Sequence, residues 1–382
     1  MLLEVNADQR FFVETSARFL DERAPAAELR RLRDDPIGYD PAYWRDGAQL
    51  GWTSLLVDEA QGGGRLSDHG LLDLALLATE FGRHASPGPL LTANVVAAAL
   101  SAHSGGENSI ALDELLTGES LTSWCPDPRA DGRHGVLPTL WIEERGEEVV
   151  VRGSARPVEA AGSCARLLVT GHTGEGWTQV LVPVDAPGVA ITPLTSVDLT
   201  RRFSVVSFDE VTLGLGAVVG EAGGAGPQVA AQRRIALALA TAESVGAMHA
   251  GFDMTVEWAF DRYSFGRPLA SYQELKHRFA DMKTWLEAGH AVSNAATVAA
   301  ATESPDAEEL LSAAKAFVGD YGSELLQDCV QMHGGIGVTF DHDLHLLLRR
   351  HTLDRTLFGT PADHRQRLAN LVDDEDDPAV TS

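Results

Sequence analysis

The chain has 382 residues, 44% of them apolar, so it holds enough material for two or three packed units with buried cores. Its 55 acidic and 30 basic residues leave a net charge of −25, which argues against nucleic acid and against an anionic membrane surface as partners. Three cysteines without C-x-x-C spacing predict free thiols in a reducing cytoplasm. No stretch approaches 18 uncharged apolar residues, so we expect no membrane span.

The first part of the chain, residues 1–118, has apolar residues at helical spacing. This spacing predicts an N-terminal helical domain with helices over Gln9–Leu20, Pro41–Leu50, Leu71–Phe81 and Thr92–Ser101. Pro41 suits the first turn of its helix, where its missing N–H has no partner to lose.

The middle part, residues 119–222, changes to short apolar runs that Gly, Pro and Asp separate. Strands are predicted over Leu140–Ile142, Glu148–Arg152, Ala165–Thr170, Thr178–Pro183, Val189–Pro193 and Phe203–Phe208. Short strands at regular spacing with turn residues between them predict an antiparallel sandwich or barrel.

The last part, residues 223–382, begins with a predicted linker at Gly223–Pro227 and then returns to helical spacing. Helices are predicted over Gln228–Arg262, Tyr272–Thr302, Asp306–Met332 and Asp343–Leu357. Two helical regions around a β insert together predict an α+β fold.

Two segments of the last part carry a specific resemblance. One is Arg262–Leu269, with the sequence RYSFGRPL, and the other is Gln331–Thr339, with the sequence QMHGGIGVT. In this order and at this distance they resemble the C-terminal helical domain of acyl-CoA dehydrogenases. Weaker similarity extends through most of the chain. The resemblance implies an N-terminal helical domain, a middle β-barrel or sandwich and a C-terminal four-helix bundle.

The resemblance also implies an FAD site shared between two chains. In the family, FAD lies between the middle domain of one subunit and the helical bundle of a neighbour. Arg262 is then assigned to the flavin pyrophosphate, because a guanidinium can donate two parallel hydrogen bonds to phosphate. Phe265 would pack on the cofactor, and Gln273 would lie near its adenine end. Three further residues would meet the adenosine diphosphate part, where glycine lets the backbone approach closely: Gln331, Gly334 and Gly335.

Each motif alone has a plainer interpretation. An arginine near a helix end often interacts with carbonyl groups or solvent, and a Gly-Gly pair often just ends a helix. The two motifs together favour the cofactor.

The positions of the family's catalytic base lack a carboxylate. In the family a glutamate removes the α-proton of an acyl-CoA while a hydride moves from the β-carbon to the flavin. The commonest arrangement places this glutamate before a Gly-Thr pair, and here Phe358 precedes Gly359-Thr360. The other known arrangement corresponds to Ala236, and neither side chain can accept a proton.

Contacts that the family makes to substrate and flavin ring are also replaced. Arg234 and Leu237 stand where an Asp and an Arg usually hold the pantetheine. Pro126-Asp127-Pro128 corresponds to the family's Thr-Glu-Pro, whose threonine touches the flavin, and proline has no amide hydrogen to donate. Pro157-Val158-Glu159 corresponds to Trp-Ile-Thr, and a carboxylate at Glu159 would lie unfavourably near a flavin that becomes anionic.

These losses share a logic. The chain keeps the residues that serve a neighbour's cofactor and lacks those of its own active site. It therefore resembles the non-catalytic subunit of bacterial heterotetrameric, α2β2, acyl-CoA dehydrogenases of the steroid side-chain type. The implied partners are a homologous catalytic chain, or a second copy of itself, and an acyl-CoA substrate.

Two alternatives stay open at this point. The first is a self-sufficient homo-oligomeric dehydrogenase with a displaced base, for which Glu243 is the weak candidate. It lies two helical turns, about 10 Å, beyond Ala236, and a carboxylate at a bundle interface is the plainer interpretation. Asp354 is weaker still, because a salt bridge with Arg350 at helical spacing explains it. The second alternative is a flavin-free scaffold.

One histidine pair could suggest a metal. His342 and His345 have a spacing that suits metal ligands, but no third ligand is evident from the sequence. We therefore expect polar packing at this pair and no metal site.

Overall fold

The computed structural model describes residues 5–129, 137–174 and 176–375. Its first part is helical, as predicted, and each predicted helix is present with its ends shifted by at most three residues. The helices are α1 (Ala7–Arg23), α2 (Ala26–Arg31), α3 (Pro41–Gln49), α4 (Gly70–His84), α5 (Leu90–Ala102) and α6 (Gly106–Thr117). The sequence interpretation missed α2 and α6.

Local capping explains where α1 begins. The Asn6 side chain accepts a hydrogen bond from the Gln9 backbone N–H, and the Gln9 side chain accepts one from the Asn6 N–H. This reciprocal pair is a capping box, which satisfies two donors that the first turn would otherwise leave unpaired.

The middle part forms a sheet that has eight strands within the described residues. They are β1 (Thr122–Pro126), β2 (Leu140–Arg145), β3 (Glu148–Glu159), β4 (Arg166–Thr173), β5 (Gly176–Pro183), β6 (Val189–Leu194), β7 (Phe203–Gly214) and β8 (Val218–Val219). Their order is β6-β7-β3-β2-β4-β5-β8, and β1 pairs with β4 outside this path.

The purely antiparallel arrangement predicted from the sequence is wrong at strand β4, which makes two parallel pairings. Strand β4 pairs in parallel with β1, from Thr122 opposite Arg166 onward, and also in parallel with β2 through Trp141 and His172. The reason is that the β2–β3 hairpin intervenes along the chain between β1 and β4. Such a long connection lets β4 return in the same direction as β1.

The last part is helical again. It contains α7 (Gly226–Asp261), the hairpin strands β9 (Tyr263–Ser264) and β10 (Arg267–Pro268), and then α8 (Gln273–Ala301), α9 (Ala307–His333), α10 (Leu344–Thr356) and α11 (Pro361–Glu375). The predicted linker is shorter than expected, because α7 already begins at Gly226. The α+β class and the helical, β, helical order are confirmed. The domain boundaries at 118 and 222 stay predictions.

The chain divides into two compact units. The helical unit comprises Met1–Glu28, Ala75–Ser86 and Leu237–Ser382, and the sheet unit comprises Leu29–Leu74 and Pro87–Ala236. Each contains a large set of fully buried apolar side chains, such as Leu20 and Leu325 in the helical unit and Trp52 and Leu167 in the sheet unit. Each unit therefore has a hydrophobic core of its own.

Two glycines let α4 and α7 approach each other closely inside the helical unit. A Cβ at Gly82 would lie 1.8 Å from the carbonyl oxygen of Glu243, and one at Gly246 would lie 2.0 Å from that of Thr79. Any larger residue would push these backbones apart. The contact holds the part of α7 that carries Glu243, the weak candidate for a catalytic base, against α4.

Within the part of the chain that the structure describes, one helix is long and apolar enough to cross a membrane by length and composition. It is α7, and 83% of its most apolar stretch is buried inside the fold. Such burial is typical of a core helix rather than of a membrane span.

Candidate functional site

A short hairpin carries two of the predicted cofactor residues. Arg262 follows the last residue of α7, and its carbonyl accepts a 2.8 Å hydrogen bond from the Leu269 N–H, which closes the hairpin. Phe265 and Gly266 form the turn with positive φ values of 49° and 81°. The Phe265 side chain is 98% exposed. The fold therefore builds a defined turn that presents an aromatic ring to its surroundings.

Tyr272 holds this hairpin against the start of α8. Its hydroxyl donates a 2.7 Å hydrogen bond to the Ser264 carbonyl, and the Arg267 guanidinium lies 3.9 Å from its ring centroid. These contacts give the hairpin a fixed base although its tip is uncovered.

Arg262 is exposed, and its guanidinium lies 5.8 Å from the ring centroid of Trp258. That distance is within the range of a cation–π interaction. Trp258 lies four residues earlier on α7 and so shares the helix face that leads to Arg262. The sequence interpretation missed Trp258, and this spacing is the signal that could have found it.

The Trp258 ring joins the ends of two helices. It stacks on His333 with 5.2 Å between centroids and 20° between planes, and His342 lies edge-on with its centroid 4.5 Å from that of His333. His333 is the last residue of α9 and directly precedes Gly334. The structure thus brings the Arg262 and Gly334–Gly335 segments together through one cluster of rings.

The predicted glycines lie open at the surface. Gly334 follows α9 with φ 64° and ψ −140°, a conformation that essentially only glycine adopts. A Cβ at Gly334 or Gly335 would meet no atom within 4 Å, and both residues are exposed, as is Gln331. An uncovered glycine backbone that the Trp258–His333 stack links to an arginine suits the approach of a phosphate group. The residues present therefore fit the diphosphate end of FAD.

Gln273 lies at the first position of α8 and is exposed. Its side-chain nitrogen is 2.9 Å from Nε2 of His277. Its proximity to an adenine stays a prediction.

The two expected base positions hold apolar residues in well-defined surroundings. Phe358 is half-buried with φ 60°, and its carbonyl lies 3.2 Å from Nε2 of His364. Ala236 and its neighbour Leu237 are fully buried. Neither position offers a proton acceptor.

A buried lysine fixes the loop that carries Phe358. Lys315 Nζ donates to the carbonyls of Asp354, Arg355 and Gly359 at 2.7, 3.1 and 3.2 Å. Burial lowers the pKa of Lys315 to about 7, against the opposing effect of Asp354. All three ammonium hydrogens have carbonyl partners, so Lys315 serves the backbone and is not placed to act on a substrate.

Glu243 is committed to an internal ion pair. It is 7% exposed, and its Oε1 lies 2.6 Å from Nη1 of the fully buried Arg350. Arg350 also donates to the carbonyls of Ala85 and Ser86 at 3.1 and 2.8 Å. A base must be free to accept a proton, so this pairing supports the structural interpretation of Glu243. Asp354 is likewise buried.

Asp127, in the middle domain, holds strand ends together. It is fully buried and accepts hydrogen bonds from the backbone N–H groups of Arg129, Thr139 and Leu140 at 2.8, 2.6 and 2.8 Å. It thereby joins the residue after β1 to the start of β2, which is a structural task.

The carboxylate of Glu159 has a partner that the sequence interpretation missed. Arg201 Nε lies 2.6 Å from its Oε1, and both side chains are buried. Arg201 therefore offsets the negative charge expected to disturb a flavin. Pro126 and Pro157 still lack the amide hydrogens of the residues that they replace.

His342 and His345 take part in packing. His342 belongs to the ring cluster with Trp258 and His333, and His345 stacks on Phe340 with 4.5 Å between centroids. Within the described ranges, no group of three or more His, Cys, Asp or Glu side chains is arranged to hold a metal ion.

Comparison with known proteins points to one family. The model of the acyl-CoA dehydrogenase N-terminal domain matches residues 6–109, and that of the acyl-CoA dehydrogenase C-terminal domain matches residues 229–372, together well over half of the chain. Acyl-CoA dehydrogenase IpdE2 of Mycobacterium tuberculosis is 29% identical over 96% of this chain and 97% of that protein.

Two solved structures have the same fold. A variant of the Tcur3481–Tcur3483 steroid ACAD has a TM-score of 0.85 at 24% identity, covering 96% of this chain and 98% of that one. The ChsE4–ChsE5 complex from Mycobacterium tuberculosis has a TM-score of 0.86 at 21% identity, covering 99% and 100%.

Proposed function

Because the chain belongs to the acyl-CoA dehydrogenase family of FAD-dependent oxidoreductases, we propose that it completes the FAD site of a homologous catalytic chain in an α2β2 assembly. In this role it contributes residues that bind the FAD diphosphate, and the partner chain removes the substrate proton. The reaction of the assembly is α,β-dehydrogenation of an acyl-CoA thioester.

The observation that carries this proposal is the exposed end of the helical unit. Phe265 is 98% exposed on an ordered hairpin, and Arg262, Gly334 and Gly335 are exposed with it. An uncovered aromatic ring beside a cation and open glycines is typical of a surface that another molecule completes. A scaffold without flavin has no use for this combination.

The lack of a carboxylate at both base positions supports the assignment of proton removal to another chain. Phe358 and Ala236 cannot accept a proton, and Glu243 is held by Arg350. A self-sufficient dehydrogenase needs a carboxylate free to approach the substrate α-carbon. The chain thus has the proposed FAD-binding residues and lacks a catalytic base.

Each residue then has a defined task. FAD, when bound, supplies the acceptor for the hydride that leaves the substrate β-carbon. Arg262 neutralises and orients the diphosphate through paired N–H donors. Gly334 and Gly335 would let backbone N–H groups reach it, and Phe265 would cover the cofactor. Gln273 would lie near the adenine end.

The partner and substrate class follow the relatives that share this fold. One solved relative is described as a steroid ACAD and another as a complex of two different chains. We extend both properties to this chain, which gives a heteromeric enzyme acting on a steroid-type acyl-CoA. A cytoplasmic location is part of the proposal, in keeping with three free, buried cysteines.

The ultraviolet–visible spectrum tests the two-chain assignment. The chain is purified alone and together with a homologous acyl-CoA dehydrogenase chain encoded beside it. We expect flavin absorbance and turnover only in the pair. Stoichiometric FAD and turnover in the chain alone would overturn the proposal, and a colourless pair would favour the scaffold.

A matched pair of arginine variants tests the site itself. Arg262→Ala in the pair removes a charge-assisted contact to phosphate, so we expect FAD to bind at least about ten-fold more weakly. Arg18→Ala, an exposed arginine on α1, should leave FAD binding unchanged. Equal affinity in both variants contradicts the assignment of Arg262. If Glu243→Gln abolished turnover in a complex that stays folded, the displaced base would be the better account.

A further inference from the structure

We propose that Trp258 and His333 are positioning residues for the diphosphate end of the shared FAD site. Their stacked rings hold the Arg262 guanidinium and the Gly334–Gly335 backbone in one arrangement before the cofactor arrives. This inference rests on the proposed function, because it concerns the same site.

Trp258 supplies the surface on which Arg262 rests. The guanidinium lies 5.8 Å from the ring centroid, and the two residues are one helical turn apart. A long, exposed side chain otherwise samples many rotamers, and ordering them on binding lowers affinity. An aromatic face that already attracts the cation removes part of that cost.

His333 holds the Trp258 ring and the glycines at the same time. Its Nδ1 lies 2.8 Å from the Cys329 carbonyl, so Nδ1 carries the proton and donates. Its Nε2 is buried with no hydrogen-bond partner within the described residues. Hydrogen bonding alone does not explain a buried, unsatisfied acceptor, because that arrangement costs free energy. The stacking of the ring on Trp258, at 5.2 Å and 20°, does explain its position.

His342 closes the cluster from a third side. Its Nδ1 accepts a hydrogen bond of 3.2 Å from the Leu344 N–H at the start of α10, and its ring lies edge-on to both other rings. The cluster therefore joins the end of α7, the end of α9 and the start of α10. Two cofactor-binding segments that are about 70 residues apart in sequence are thus held as one surface.

Variants of Trp258 in the two-chain complex test the inference. The complex is stripped of cofactor, and FAD is titrated back while flavin fluorescence is followed. We expect Trp258→Leu to raise the dissociation constant about ten-fold, since it removes both the cation–π contact and the stack. Trp258→Phe keeps an aromatic face and should restore affinity to within about three-fold of the parent.

Variants of His333 separate stacking from hydrogen bonding. His333→Phe keeps the ring and loses the bond to the Cys329 carbonyl, whereas His333→Gln keeps a polar donor and loses the ring. We expect His333→Gln to weaken FAD binding about ten-fold and His333→Phe to stay within about three-fold. The reverse order would overturn the stacking role. Thermal unfolding of each cofactor-free complex shows which variants remain folded. Because two variants are made at each position, the second can be tested if the first does not fold.

Arg262→Ala distinguishes failure of this inference from failure of the proposed function. If Arg262→Ala weakens FAD binding and both Trp258→Leu and His333→Gln leave it unchanged, the positioning role is wrong and the shared site stands. If Arg262→Ala also has no effect, the site itself is wrong.

Discussion

Two arginines of the helical unit are treated in opposite ways. Arg350 is fully buried and bound to Glu243 and to the carbonyls of Ala85 and Ser86. Arg262 is exposed and rests on an aromatic ring. A buried charge must be satisfied within the fold, whereas an exposed one remains available to another molecule. The contrast separates an arginine that holds this chain together from one that the proposed function assigns to a ligand.

The largest expected effect comes from breaking the buried pair. Arg350→Ala leaves the Glu243 carboxylate buried without its cation, so we expect the free energy of unfolding to fall by about 3–5 kcal/mol. Urea titration of the purified chain measures this change. Arg262→Ala is the control and should change stability by less than about 0.5 kcal/mol. Similar decreases in the free energy of unfolding for both variants would show that the two arginines do not differ in their contribution to stability.

A smaller effect is expected from two histidines, the buried His351 and the half-buried His290. Burial lowers the pKa of His351 and of His290 to about 4 each, whereas a histidine in an unfolded chain titrates near about 6.5. Between these values the unfolded chain binds more protons, so the free energy of unfolding falls as pH falls from 6.5 to 4.

A variant isolates the share of His351, whose ring nitrogens lie 2.6 Å from the Ser244 hydroxyl and 3.0 Å from that of Ser323. His351→Gln keeps polar contacts and does not titrate, so the loss of stability at acid pH should become shallower. Urea titrations at pH 7, 6 and 5 measure this slope. A slope that does not change would mean that His351 is not the group responsible.

The smallest effect is expected at the surface. Lys283 and Glu287 form a 2.7 Å ion pair one turn apart on α8, and both are about half exposed. Lys283→Ala should change the free energy of unfolding by about 0.5 kcal/mol or less, because water and salt screen such pairs. A loss comparable to that of Arg350→Ala would show that exposure does not decide the contribution of a charge here.

The sequence predicts the long helices well and the sheet less well. Helices α8 and α9 begin and end within one residue of the prediction, because their apolar spacing is continuous and breaks sharply. Strand β3 runs seven residues past its predicted end at Arg152, because it pairs with β7 through two register shifts. Tertiary pairing of this kind leaves little local pattern. The sequence does not reveal strand β1 for a related reason. Four of its five residues are buried, so buried and exposed positions do not alternate along it as they do in a half-buried strand.

The candidate site shows a similar limit. Sequence motifs could nominate Arg262, Gly334 and Gly335, because those residue types suit phosphate. They could not show that Trp258 and His333 connect these residues, since the connection depends on two helices ending side by side. Nor could they reveal that Arg201 neutralises Glu159.

The exposed hairpin that carries Phe265 has a consequence for the fate of this chain after synthesis. Phe260 and Tyr263 are each 63% exposed close to it in the sequence, so three aromatic rings face water on this chain alone. Such a surface invites aggregation and capture by chaperones or proteases. In the proposed two-chain assembly, production of both chains in matched amounts would keep this surface uncovered in few copies.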